Sequence, residues 1–221
     1  MDEIGIREFV CGVFVCPPEV AERILLRGRL RDYARHATIM RQGEALSATF
    51  VLVLGRARAL LYAADGQIVL LHEYRRGDLF GAIVDEGMAR QDSDVLAVEE
   101  VRALAIEAAH LVLLAEQHGC IGLALSRLLT TRLRQATARL YERAALSSVG
   151  RVHAELLRQA RLGAGLTIAP APVLADLALI AATTRETASR AVNALERRGI
   201  IRRDGDALVV VAPHRLEEMI L

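Results

Sequence analysis

At 221 residues and 53% hydrophobic content, the chain holds enough apolar material for one or two cored domains. A formal net charge of +1 excludes a protein that coats nucleic acid non-specifically, while leaving room for a basic patch on one domain. The acidic start Met1-Asp2-Glu3 does not make a signal peptide and no apolar run reaches about 18 residues, so a cytoplasmic protein with no membrane partner is expected.

Residues 1–33 read as a helical lead-in, clearest over 18–31 (PEVAERILLRGRLR). From Ala37 the pattern changes to short extended runs punctuated by Gly43, Gly55, Gly66, Gly77 and Gly81. The runs 49–54, 58–62 and 67–74 are rich in β-branched and aliphatic residues, and their spacing predicts a compact antiparallel barrel.

A short helix is expected over 107–116 and a long one over 120–143. On the long helix Ile121, Leu125, Leu128, Leu129, Leu133, Ala136 and Leu140 span an apolar arc of about 140°, opposite Arg127, Thr130, Thr131, Arg134 and Glu142. So wide an arc fits packing on two surfaces at once. Arg132 and Arg139 fall inside it and mark its edge.

A helix opening at Val149-Gly150-Arg151 runs through Ala160, followed by a loop or short strand over 161–171 and a short apolar helix over 173–181. The next helix, 183–198 (TTRETASRAVNALERR), is the stretch around which the chain is organised. At about 100° per residue, Arg185, Glu186, Ser189, Arg190 and Asn193 share one face, and Ala188, Ala191, Val192 and Leu195 the other. Thr183 or Thr184 caps it, with Glu186 completing a capping box if the cap is Thr183, and Gly199 ends it. A rod of roughly 22 Å fits a DNA major groove. Ile200 to Arg203, the turn signal Asp204-Gly205 and Ala207 to Val211 then read as a β-hairpin, completing a winged helix-turn-helix. Residues 146–221 carry ten Arg against eight acidic residues, a net of +2, with Arg197, Arg198, Arg202 and Arg203 clustered beside this helix. An Arg-Glu pair alone is usually a solvated face; its order, its spacing and the hairpin point to base reading.

Arg185-Glu186-Thr187-Ala188-Ser189-Arg190 resembles the RETxxR recognition helix of the CRP/FNR family of bacterial transcription regulators. Gly43-Glu44, Phe50-Val51-Leu52, Leu54-Gly55, Asp65-Gly66 and Gly77-Asp78 with Phe80-Gly81 resemble that family's cyclic-nucleotide-binding β-roll. The resemblance covers nearly the whole chain. It implies an α+β protein: an N-terminal antiparallel β-roll with its helical lead-in (1–107), connecting and dimerisation helices (108–145) and a winged helix-turn-helix (146–221). It further implies a homodimer through 120–143, RNA polymerase as a partner, and double-stranded DNA read at TGA-containing half-sites by Arg185, Glu186 and Arg190. Thr184, Ser189 and Asn193 stand beside them, and Arg203 is placed to hold phosphate. Ala182 departs from the family, which usually has glycine in the turn.

The effector residues depart further. In the family's cAMP binders a glutamate follows the glycine matched by Gly81, and an arginine about eleven residues on neutralises the cyclic phosphate. Here Ala82 takes the first place and Gln91 or Asp92 the second, with Arg90 and Ser93 nearby. Of two hydroxyls that meet the adenine from the long helix, Thr137 is matched and the other place is Ala136. Gly81, Ala82, Arg90, Ser93 and Thr137 are therefore the candidate effector residues, and the sequence argues against cAMP. Cys11, Cys16 and Cys120 are one too few, and wrongly spaced, for the family's iron–sulfur cluster, and a Cys11–Cys16 redox pair is the alternative to ordinary thiols. The six histidines show no metal spacing, although His72 in the roll is where a haem ligand would fall. No cofactor is identified, and no catalytic constellation appears, so the chain is expected not to be an enzyme. The competing reading is a ligand-binding module whose helix-turn-helix serves protein contacts.

Overall fold

The computed structural model describes residues 3–45, 47–62, 68–83 and 90–220. The chain divides into two compact units, Met1–Leu133 and Arg134–Leu221.

The first unit opens with α1 (Glu3–Phe14) and α2 (Pro18–Arg27), followed by β1 (Arg29–Tyr33), β2 (Thr38–Met40), β3 (Ala48–Leu54), β4 (Ala57–Tyr62), β5 (Ile68–Tyr74), β6 (Leu79–Gly81), β7 (Asp94–Ala97) and β8 (Val101–Glu107). These strands form two four-stranded antiparallel sheets, β1-β8-β3-β6 and β2-β7-β4-β5. Strand β3 shows why the sequence reads as a continuous apolar run. Alternate side chains point to opposite faces, and both faces are buried. Phe50 and Leu52 enter the core between the sheets with Phe80, Val95 and Ala103, whereas Val51 and Val53 pack with Leu104 and Ile106 against the helices. Gly81 ends β6 at φ 88°, where a Cβ would come within 2.4 Å of the Ala48 carbonyl oxygen. The expected turn at Asp65-Gly66 lies outside the described residues.

The helix expected over 18–31 is shorter. Gly28 adopts extended backbone and closes α2, and Arg29 to Tyr33 pair with β8 as an edge strand. That strand is exposed over four of its five residues, so it carries no apolar alternation to announce itself. Its register comes from backbone pairing and from Arg102, which donates to Asp32 at 2.6 and 3.0 Å.

Helix α3 (Ala108–Gln117) leads into α4 (Gly119–Ala145), which runs from the first unit into the second. Ile121 and Leu125 are buried, while Leu129, Leu133 and Leu140 on the same arc stay exposed. The second unit continues with α5 (Ser148–Leu162), a 3-10 turn, β9 (Thr167–Ile168), α6 (Leu174–Ile180), α7 (Arg185–Arg197), β10 (Ile201–Asp204), β11 (Ala207–Val210) and α8 (Pro213–Glu218). No single helix among the described residues is long and apolar enough to cross a membrane.

A buried ion pair lies within the roll. Arg58 on β4 faces Glu73 on β5 in register, with Nε 2.9 Å from Oε2 and side-chain exposures of only 9% and 8%. Arg75 reaches the other carboxylate oxygen at 3.2 Å. Burial pushes the Glu73 carboxyl up, but the Arg58 hydrogen bond and charge, with Arg75 and Arg56, outweigh it and hold the group below its ordinary range. A depressed carboxyl stabilises the fold above its unfolded value, and the benefit fades as pH falls through the folded one. Replacing Arg58 by Met should therefore cost about 3 kcal/mol at neutral pH, because it strips a buried charge of its main partner. The deficit should shrink at acid pH, where Glu73 protonates. Urea unfolding at both pH values checks this, and a pH-independent deficit would contradict it.

Candidate nucleic-acid interface and effector region

Helix α7 is fixed by its apolar face. Ala188, Ala191, Val192 and Leu195 are buried in a core shared with Val152 and Leu156 of α5, Leu177 of α6 and Leu208 of β11. Arg185, Glu186, Arg190 and Asn193 are consequently exposed, and Ser189 is half-buried. The side chains of Arg185, Glu186 and Asn193 hold no hydrogen bond or ion pair with any described residue. Of the two possible caps the chain uses Thr184, whose hydroxyl accepts from the Thr187 amide at 3.2 Å. Arg190 lies 3.5 Å from the Thr187 hydroxyl.

The turn between α6 and α7 is held from α5. Arg151 donates through Nε to the Ala181 carbonyl at 2.8 Å, through Nη2 to the Ala182 carbonyl at 3.0 Å and through Nη1 to Leu146 at 3.0 Å. One guanidinium thus satisfies three carbonyls at a helix junction, which a lysine cannot do with the same geometry. Ala182 itself takes φ 50°, the left-handed conformation that favours glycine. Arg151 was legible in the sequence only as part of a helix start.

The hairpin β10–β11 follows as expected, with Arg202 and Arg203 exposed on β10. Arg203 Nε lies 3.4 Å from Glu196 on α7, so the wing cation stands beside the exposed helix face.

In the roll, Ala82 is buried, its amide bonded to the Ala48 carbonyl at 3.0 Å and its carbonyl accepting from the Thr49 hydroxyl. Arg90 is exposed and donates to the Gly43 carbonyl at 2.8 Å, and Ser93 is buried. Residues 84–89, between Ala82 and Arg90, lie outside the described part. Thr137 is exposed on α4 and falls in the second unit. Gly81 and Ala82 thus adjoin each other at the end of β6, while Thr137 belongs to a separate unit.

A cluster that the spacing did not reveal centres on Tyr74. Its ring stacks on Phe80 with centroids 4.7 Å apart and meets His72 at 4.7 Å. The Arg132 guanidinium carbon lies 5.4 Å from the Tyr74 ring centroid. Nε and Nη2 of Arg132 are buried with no hydrogen-bond partner among the described residues. Burial lowers Arg132 from the usual arginine range, with Tyr74 and Asp78 pulling it back. The available signal was an arginine inside an apolar arc.

The fold and this site define a protein with a cyclic-nucleotide-binding-like roll and a DNA-binding winged helix. The sequence family described as cyclic nucleotide-binding domain matches residues 30–118, and that described as Crp-like helix-turn-helix domain matches 150–219. The chain is 29% identical over 208 residues to the cyclic AMP receptor protein of Thermus thermophilus, covering 91% of this chain and 93% of that one. It is 25% identical to the CRP-like cAMP-activated global transcriptional regulator of Mycobacterium tuberculosis, over 98% of each. The solved structure of FixK2 from Bradyrhizobium japonicum shares the fold with a TM-score of 0.75 at 22% identity, over 86% of this chain and 96% of that one. The chain belongs to the CRP/FNR family of bacterial transcription regulators.

The left-handed Ala182 yields a direct test. A non-glycine residue there costs about 1–2 kcal/mol, and glycine returns part of that through its freer unfolded chain. Ala182→Gly should therefore stabilise the protein by roughly 0.5–1 kcal/mol in urea unfolding. A loss of stability would mean that the turn is not strained.

Proposed function

We propose that the protein is a homodimeric, sequence-specific DNA-binding regulator that recognises a palindrome with TGA-containing half-sites. The observation that carries this reading is the α7 face, where two arginines, a glutamate and an asparagine are exposed opposite a fully packed apolar face. Arginine bonds guanine bidentately and glutamate accepts from cytosine N4, which suits Arg185, Arg190 and Glu186 to base reading. Thr184, Ser189 and Asn193 flank them, and Arg203 would exchange Glu196 for a backbone phosphate. We assign residues 1–107 to the sensor, 108–145 to connection and dimerisation and 146–221 to DNA binding. Exposed Leu133 and Leu140, at 69% and 67%, support pairing along 120–143. Two recognition helices about one helical turn apart would then require the palindrome. RNA polymerase is the partner such a regulator would engage.

The effector reading differs from the names of the relatives. Those two proteins are named for cAMP. Here no carboxylate follows Gly81, and Arg90 is engaged by the Gly43 carbonyl, which supports an effector other than cAMP in the roll, or none. An effector would act through α4, the helix common to both units, by changing how the two α7 helices match the site.

Glu186→Ala should relax preference at one base pair by about 1–3 kcal/mol and leave other positions unchanged. Arg203→Ala should weaken all sequences alike and lower the salt slope by about 1. Fluorescence anisotropy on a panel of single-base variants separates the two, and equal losses on every sequence in both mutants would refute the assignment.

A further inference from the structure

Helix α1 ends in a way that brings two thiols together. The last hydrogen bond of the turn runs from the Cys16 amide to the Cys11 carbonyl at 3.1 Å, and Val15 before it takes φ 49°. This is a Schellman ending, a six-to-one bond with the intervening residue left-handed. A β-branched residue is costly there, so the ending is imposed by its surroundings. Such an ending sets the side chains of its third-last residue and of the second residue beyond the cap against each other. That contact is normally apolar; here both members, Cys11 and Cys16, are cysteines. Cys120, the second residue of α4, packs against the same apolar cluster that holds Cys16. Cys16 is buried, Cys11 and Cys120 are half-buried, and all three are free. Among the described residues no group of His, Cys, Asp and Glu is arranged to hold a metal ion, so the cluster favours redox chemistry over coordination.

We propose that Cys11 and Cys16 form a reversible intramolecular disulfide when the protein meets hydrogen peroxide, with Cys11 oxidised first. The Cys11 thiolate attacks one peroxide oxygen, an S–O bond forms, the O–O bond breaks, and the departing hydroxide takes up a proton to become water. The Cys16 sulfur then attacks the sulfenic sulfur, giving up its proton. The S–S bond forms, the S–O bond breaks and a second water leaves. Two thiols and one peroxide thus give one disulfide and two waters. The new bond spans a turn that the backbone already closes, and so ties down the end of α1. That end borders a cleft of about 240 Å³ lined by Val13, Phe14 and Val15, by Leu79 of the roll and by Leu125 and Leu128 of α4. Burial pushes the Cys16 thiol up to about 11, and neighbouring Cys11 and Cys120 push the same way. The second step is therefore slow at neutral pH and quickens as pH rises.

The test treats the full chain with a small excess of hydrogen peroxide, blocks remaining thiols with iodoacetamide and maps the peptides by mass spectrometry. A single Cys11–Cys16 link, with Cys120 alkylated and full reversal by dithiothreitol, is the expected result. The link should persist in Cys120→Ser and form about tenfold faster per pH unit. It should be absent in Cys11→Ser and Cys16→Ser. A link to Cys120, a sulfinic acid on Cys11, or three alkylated cysteines in the treated wild type would overturn the proposal.

Discussion

Four small apolar side chains on one face of α7 govern what the second unit presents. Ala188, Ala191, Val192 and Leu195 are sealed against α5, α6 and β11, so the helix cannot rotate without exposing them. Their burial forces Arg185, Glu186, Arg190 and Asn193 outward and leaves those groups to solvent. The small size of the two alanines lets α7 lie close to its neighbours. Arg151 completes the arrangement from a distance by bonding the carbonyls of the preceding turn, which sets where α7 begins.

The roll follows a different logic. Its central strand β3 is covered on both faces, so its core is specified by apolar content and pairing. Arg58 and Glu73 neutralise each other across β4 and β5, and Arg90 is bound to a backbone carbonyl. Arg132 lies over the face of Tyr74, with buried nitrogens that have no partner among the described residues. The roll keeps the architecture of the family, and Arg58 and Arg90 are both engaged within it.

Most of the architecture was legible because its periodicities are strong. The alternation of strands and glycines announced the roll, and the two-faced pattern of 183–198 announced α7 together with the faces it buries and exposes. Two kinds of feature escaped. Strand β1 escaped because an exposed edge strand is held by backbone bonds and ion pairs and carries no apolar alternation. Contacts between residues far apart in sequence escaped because spacing cannot show them: Cys120 near Cys16, Arg132 over Tyr74, and Arg151 on the turn before α7. The cap was left between Thr183 and Thr184, and the hydroxyl of Thr184 decided it.

The central claim is that the exposed face of α7 reads sequence on DNA and does so twice, symmetrically. Selection from a pool of random duplexes by the purified protein, followed by sequencing of the bound fraction, tests it most directly. It should be run with and without cyclic nucleotide and with and without reductant. The account predicts enrichment of a palindrome with TGA-containing half-sites that does not depend on cAMP. A pool with no enriched sequence under any of these conditions would contradict it.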